Sequence, residues 1–216
     1  MAAPLERTRL AGQPTEGFTL VEMLVVIVII GIASAWALPA FQRTIAQGEV
    51  DRYTANVESG LFKLQRDIAL TRKKCVIDFA QTGVAEDTFV TPSSFLEYTQ
   101  ANGSRRDESE SPLFIQIGDE KKPCIDLSDP PRPLRLMNLE GTREAANVEV
   151  ATPSLDPYTF TPPGTSANLT NLTIVIRSTK NAGNSTLRQR CVELSGSGNI
   201  KSGTWEPPDD FNGSCN

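Results

Sequence analysis

The stretch GFTLVEMLVVIVIIG, residues 17–31, places a single glutamate, Glu22, near the start of an otherwise apolar run. Glu22 is the only charged residue from Phe18 to Leu38. A helix of about 20 residues rises about 30 Å, which equals the hydrocarbon thickness of a bilayer. A carboxylate in hydrocarbon costs about 2.5 kcal/mol or more. The sequence therefore predicts a membrane-spanning helix over 18–38 whose acid needs a specific partner.

Two ordinary interpretations of this segment leave Glu22 without a role. One is a plain signal anchor, with Arg7 and Arg9 ahead of the span favouring a cytoplasmic N-terminus. The other is a secretory signal peptide that is removed, since 33–35 and 35–37 both fit an A-x-A cleavage pattern.

Composition excludes several kinds of site. The chain has 216 residues, a net charge of −5 and no histidine. Ser-His-Asp and Cys-His catalysis are therefore excluded, as are metal sites that need imidazole. The acidic balance also argues against direct nucleic-acid binding, because neutralising phosphates needs clustered Lys and Arg. We expect no cofactor, no metal and no enzyme activity.

The residues Gly17-Phe18-Thr19-Leu20-Val21-Glu22 and the apolar run after them resemble the type IV prepilin signal. The resemblance implies that a prepilin peptidase of the inner membrane cuts after Gly17 and methylates the new amine of Phe18. It also implies that Glu22 meets the N-terminal amine of a neighbouring subunit in a filament. Residues 1–17 would then be a leader peptide, and the apolar segment would be kept.

The helix is expected to continue beyond the membrane. Apolar residues recur at three- and four-residue steps far past Pro39, which predicts one amphipathic helix to about residue 72. The members of this stripe are Phe41, Ile45, Tyr53, Val57, Leu61, Leu64 and Ile68, and Val50 bridges the one double step between Ile45 and Tyr53. The resemblance implies an α+β pilin fold in which a long N-terminal helix, 18–72, packs on an antiparallel sheet within a β-rich domain, 73–216.

Short β-branched and aromatic runs predict the strands of that domain. They are 75–79, 113–117, 134–139, 172–176, 191–194 and, after a glycine turn, 199–201. Polar or proline-rich stretches predict loops and connectors at 99–112, 128–133 and 161–164. The segment 203–216 is expected to have little regular structure.

The order of these elements is loosely similar to the H-type pseudopilins of type II secretion and to FimT-type minor pilins. The chain is then a structural subunit of a type IV pilus or of a pseudopilus. It would cross the bacterial inner membrane once, with its globular domain outside the cytoplasm and other pilin or pseudopilin subunits as partners. An exported binding protein with a disposable signal peptide is the main alternative, and an anchored extracytoplasmic hydrolase is a more distant one.

Two features of the C-terminal region bear on ligands. Residues 209–213, DDFNG, faintly resemble a calcium loop, but the ligands further along are missing. Some FimT-type pilins take up DNA through basic C-terminal residues. Here Lys201 stands alone against three acids, Glu206, Asp209 and Asp210.

The four cysteines and the export signal favour two disulfides. A bond from Cys215 to Cys191 would tie down the C-terminal segment, and Cys75 would then pair with Cys124. A sheet that brings Cys75 beside Cys191 remains the alternative.

Overall fold

The computed structural model describes residues 17–72, 74–92, 113–117, 120–123, 146–162, 164–166, 170–181, 187–208 and 210–216. The chain divides into two units, Met1–Gln42 and Arg43–Asn216. Within these described residues, one α-helix, two short 3-10 helices and ten strands form the α+β architecture that the resemblance implied.

Helix α1, Leu20–Thr71, contains Pro39 and is continuous through it, as predicted. In the second unit the helix is amphipathic, and one face enters the core. Its buried apolar residues are Ala46, Val50, Tyr53, Val57, Leu61, Leu64 and Ile68. Phe41, which the periodicity placed on the same stripe, lies in the first unit and is 62% exposed.

The strands in chain order are β1 Cys75–Ile77, β2 Leu113–Ile117, β3 Glu120–Pro123, β4 Val148–Ala151, β5 Tyr158–Thr161, β6 Thr165–Ser166, β7 Leu172–Ser178, β8 Arg190–Leu194, β9 Ile200–Glu206 and β10 Ser214–Cys215. They form two five-stranded antiparallel sheets. The first has the order β3-β2-β1-β5-β6, and the second has the order β10-β9-β8-β7-β4.

The two sheets correct the expectation of one. Strand β1 leaves the helix and pairs with β2 and β5, whereas β7 and β8 start a separate ladder with β9 and β4. Strands β3, β4, β5, β6 and β10 were not predicted. Each is two to four residues long, and proline lies close to several of them, so their alternating pattern is too short to recognise.

The expectation that residues 203–216 lack regular structure is wrong. Strand β9 runs to Glu206, and β10 pairs with its end through Cys215 opposite Trp205. The backbone of Thr204 also exchanges two hydrogen bonds with that of Asn216. Ser202 and Gly203 continue the ladder with β8.

A single core lies between the second half of α1 and both sheets. Tyr158 and Phe160 of β5 contribute to it from the first sheet, and Ile174 and Val192 contribute from the second. On β7, Leu172, Ile174 and Ile176 share one face of the strand and all belong to this core. Burying an aliphatic side chain stabilises the fold by about 1.5–3 kcal/mol, and this cluster holds most of the buried apolar residues of the described chain.

A smaller apolar cluster covers the other face of the second sheet. It consists of Val175, Cys191, Trp205 and Cys215, with Phe89 packed against them. The segment around Phe89 reaches this face because Val90 forms a bridge with Val150 of β4. Loop and C-terminal strand therefore cover a surface that the helix does not reach.

Several predictions lie outside the described residues. They are the mobile loop at 99–112, the connector at 128–133, the strand at 134–139, and the positions of Cys124 and Asp209.

Candidate functional site

The N-terminus of α1 is built as a capped helix end. Residues 17–19 are non-helical, and the hydroxyl oxygen of Thr19 accepts a hydrogen bond from the backbone N–H of Glu22 at 3.2 Å. The carbonyl of Thr19 accepts the first helical bond, from the N–H of Met23, also at 3.2 Å. Thr19 is therefore the N-cap, and Glu22 is the third residue of the helix.

This arrangement gives Glu22 a local role that the sequence interpretation missed. Thr-x-x-Glu ahead of an apolar run is the signature of a capping box, and it can be read directly from residues 19–22. A carboxylate in the first turn also interacts favourably with the positive end of the helix dipole. The acid thus stabilises its own helix end before any neighbouring subunit is considered.

Gly17 and Phe18 precede the cap, so the bond between them lies outside the helix. Gly17 is exposed, and a Cβ built on it would have no heavy atom within 4 Å. Phe18 is 76% exposed. Nothing within the described chain demands a glycine at position 17, so any requirement for it must come from a partner that acts on this bond.

Apolar side chains cover the helix after the cap. Within the first unit every large apolar residue whose side chain is described is at least 45% exposed, from Phe18 to Phe41. The helix is long and apolar enough to cross a membrane, and the most apolar window is unburied. Such a surface needs lipid or other helices around it, because a helix apolar on all sides is not stable facing water.

The structure joins Cys191 of β8 to Cys215 of β10 in a disulfide, with the two Cα atoms 5.8 Å apart. The alternative in which Cys191 pairs with Cys75 is therefore wrong. Cys75 is itself disulfide-bonded. Its predicted partner, Cys124, lies outside the described residues, so that pairing stays a prediction.

Charged side chains near the C-terminus are engaged in local contacts. One carboxylate oxygen of Asp210 accepts hydrogen bonds from the backbone and side chain of Asn212, and its carbonyl accepts one from the indole of Trp205. Lys201 lies 3.5 Å from Glu193. Within the described ranges no three acids, histidines or cysteines gather in a way that could hold a metal ion.

A family model described as the prokaryotic N-terminal methylation motif matches residues 15–38. The match covers the capped helix end and the apolar segment. It therefore supports the sequence interpretation of residues 17–22 by a comparison independent of the globular domain.

Curated relatives carry the similarity further along the chain. A "Type IV major alpha-pilin" of Moraxella bovis is 34% identical over 79 residues, which are 37% of this chain and 48% of the relative. A "Fimbrial protein" of Pseudomonas aeruginosa is 30% identical over 112 residues, covering 52% of this chain and 65% of the relative. A "Type IV major fimbrial protein FimA" of Dichelobacter nodosus is 35% identical over 68 residues, which cover 32% of this chain and 38% of the relative.

The chain thus spans less than two thirds of the length of each of these relatives. No solved structure matches it. The methylation motif, the named relatives and the long apolar helix followed by antiparallel sheets agree with one another. The chain is a type IV pilin-like protein with a prepilin-type N-terminal signal.

Proposed function

We propose that this structural subunit is a minor pilin or pseudopilin, made as a precursor and matured by a prepilin peptidase. Cleavage after Gly17 removes residues 1–17, and methylation follows on the amine of Phe18. The mature chain crosses the inner membrane once through residues 18–38, with the globular unit outside the cytoplasm. From there it assembles with other pilin subunits.

The capped helix end carries this proposal. Thr19 caps α1 and Glu22 lies in its first turn, while the Gly17–Phe18 bond stays outside the helix. The two described residues that flank the proposed cut, Gly17 and Phe18, are non-helical, so a peptidase would not have to unwind α1 to reach the bond between them. The match to the methylation motif covers the same residues.

Glu22 has a second role in the assembled filament. Cleavage leaves a protonated amine on Phe18, and the carboxylate of a neighbouring subunit is its proposed partner. At about 4 Å and an effective dielectric near 20, such a pair is worth about 4 kcal/mol before desolvation. Removing either partner leaves the other charge buried and unpaired, which strongly destabilises the contact.

The alternative, an exported binding protein with an ordinary signal peptide, needs cleavage near Ala35 or Ala37. Both positions lie inside the continuous helix α1, which extends 34 residues beyond Ala37, to Thr71. Cleavage there would require local unwinding of the helix. The relatives favour a pilus over a secretion pseudopilus, since they are named as pilins and fimbrial proteins.

Mass spectrometry of the mature N-terminus tests the proposal. We expect a chain that begins at methylated Phe18, whereas a start at Trp36 or Leu38 would establish the signal-peptide alternative. Gly17→Val should leave uncut precursor in the membrane. Gly31→Val is the matched control, since a Cβ at either glycine meets no heavy atom within 4 Å. Normal processing of Gly17→Val would contradict the proposed site.

A further inference from the structure

An open groove of about 470 Å³ lies at the start of the globular unit, where α1 meets the segment ahead of β8. The helix contributes Arg43, Thr44, Gln47, Gly48 and Asp51, and the facing segment contributes Leu187 and Arg188. The groove is open at Gly48, because a Cβ built on this residue would meet no heavy atom within 4 Å.

Gln47 fixes the geometry of this groove. Its side-chain oxygen accepts the backbone N–H of Arg188 at 3.0 Å, and its amide nitrogen donates to the carbonyl of the same residue at 3.3 Å. The Gln47 side-chain amide thus makes the same pair of hydrogen bonds to the backbone of Arg188 that a neighbouring strand would make. These bonds hold Arg188 beside α1, although Arg188 follows Gln47 by 141 residues in the sequence.

The groove carries two arginines, Arg43 and Arg188, that form no ion pair with the part of the chain that the structure describes. Arg43 and Arg188 are exposed, and neither guanidinium has a hydrogen bond or ion pair with any described residue. The one acid that lines the groove, Asp51, lies 3.2 Å from Arg190 and is paired with it. Two free guanidinium groups on one concave surface favour an anion with several oxygens, because guanidinium binds phosphate through paired donors.

We infer that this groove binds the phosphate of a net-anionic phospholipid headgroup, on the basis of the membrane anchoring proposed above. Arg43 follows Leu38, the last residue of the proposed span, by five residues of the same helix. Five helical residues rise about 7.5 Å, which is the depth of a headgroup layer beyond the hydrocarbon. Before assembly, two contacts therefore hold the subunit at the bilayer. The apolar helix lies in the hydrocarbon, and the groove binds a lipid headgroup.

Native mass spectrometry of the mature full chain, released from detergent micelles, tests this inference by titration with phosphatidylglycerol and, separately, with phosphatidylcholine. The wild type should bind phosphatidylglycerol in preference. Each arginine should contribute about fivefold in affinity, so R43Q/R188Q should bind about 25-fold more weakly. Raising the salt concentration should weaken wild-type binding, since the headgroup contact is exposed.

The matched control is Arg66→Gln, an exposed arginine of the same helix that does not line the groove. It should bind like the wild type. R43K/R188K, which keeps both charges, should restore part of the affinity. Recovery by lysine shows that the loss in the glutamine variant comes from charge and not from misfolding.

Three results would overturn the inference. They are equal binding by R43Q/R188Q and wild type, an equal loss in Arg66→Gln, and displacement of the lipid by inorganic phosphate at the same concentration. The last would indicate a site for a free anion. The N-terminal mass of each variant is measured in the same spectra. A start at Trp36 or Leu38 refutes the proposed function, whereas lost lipid preference with a methylated Phe18 refutes only the groove.

Discussion

The side-chain amide of Gln65, on α1, donates hydrogen bonds to the carbonyl oxygens of both Gly164 and Gly198. Gly164 lies in the turn between β5 and β6, and Gly198 lies in the turn between β8 and β9. One helical residue therefore joins a turn of the first sheet to a turn of the second. The hydroxyl of Tyr158 adds a further bond, 2.7 Å long, to the carbonyl of Ser195 in the same β8–β9 turn.

Gln65→Ala should lower the free energy of unfolding by about 1–2 kcal/mol, because two partly buried carbonyls lose their donor. Urea unfolding of the mature chain in detergent, followed by near-ultraviolet circular dichroism, measures the loss. Gln42→Ala, at an exposed position of the same helix, is the control and should leave the midpoint unchanged. Equal midpoints for the two variants would show that the hydrogen bonds from Gln65 to the two turns do not stabilise the fold.

Gly198→Ala should be more damaging than Gly83→Ala. Both glycines have positive φ, +86° and +71°, so both substitutions carry a backbone cost of about 1–2 kcal/mol. A Cβ at Gly198 would also lie 2.9 Å from the carbonyl oxygen of Gly164, whereas one at Gly83 meets nothing within 4 Å. We expect a difference of at least about 1 kcal/mol in unfolding free energy. Equal losses of unfolding free energy in the two variants would show that the turns at Gly164 and Gly198 can move apart at little cost.

Tyr158 should make the fold sensitive to strong base. Burial raises the pKa of its phenol above the ordinary value of 10.0. The folded state then holds this proton more tightly than the unfolded state, so its contribution to stability is complete below pH 10 and falls as the pH rises from 10 through the folded pKa. Thermal melts at a series of pH values should show a steeper decline for the wild type than for Tyr158→Phe in that range. Parallel curves would contradict this.

Cys215→Ser should loosen β10 without affecting maturation. The disulfide links residues 24 apart, and closing such a loop is worth about 3.5 kcal/mol in the chain-entropy model. Trp205, opposite Cys215 and 4% exposed, should become more accessible to quenchers. Membrane insertion and the N-terminal mass should match those of the wild type. A chain that stays as precursor would contradict the independence of the two ends.

Glu22→Gln should separate processing from assembly. The variant keeps the side-chain volume and the backbone bond to Thr19 but loses the charge. We expect normal cleavage after Gly17 and loss of incorporation into filaments, measured in sheared surface fractions. Thr19→Ala is the companion variant. It removes the cap, at a cost of about 1 kcal/mol, and keeps the carboxylate. If Thr19→Ala impairs incorporation as severely as Glu22→Gln, the acid acts through its own helix end.

The helix could be predicted from the sequence because its signal is long and periodic. Tyr53, Val57 and Leu61 fall on the buried face at helical spacing, and each is fully buried. The same periodicity wrongly included Phe41, since spacing does not say where the partner surface ends. Thr19 and Glu22 could have been recognised as a capping box, because their spacing alone carries that signature.

The two-sheet arrangement could not be predicted, for reasons of length and distance. Strand β5 has four residues between Pro157 and Pro162, so its alternation is too short to separate from a connector. Its partner strand β1 ends at Ile77, which pairs with Tyr158, 81 residues further along the chain. The groove depends in the same way on Arg43 and Arg188, which no local pattern connects.

The cap on Thr19 has a consequence for the timing of maturation. Every atom that closes the helix end belongs to Thr19 or to residues after it, so none is lost with residues 1–17. With the proposed cut after Gly17, the mature subunit therefore keeps the same capped helix end, and the new N-terminus gains the positive charge of a free amine. A subunit matured in this way needs no refolding interval before it can join a growing fibre.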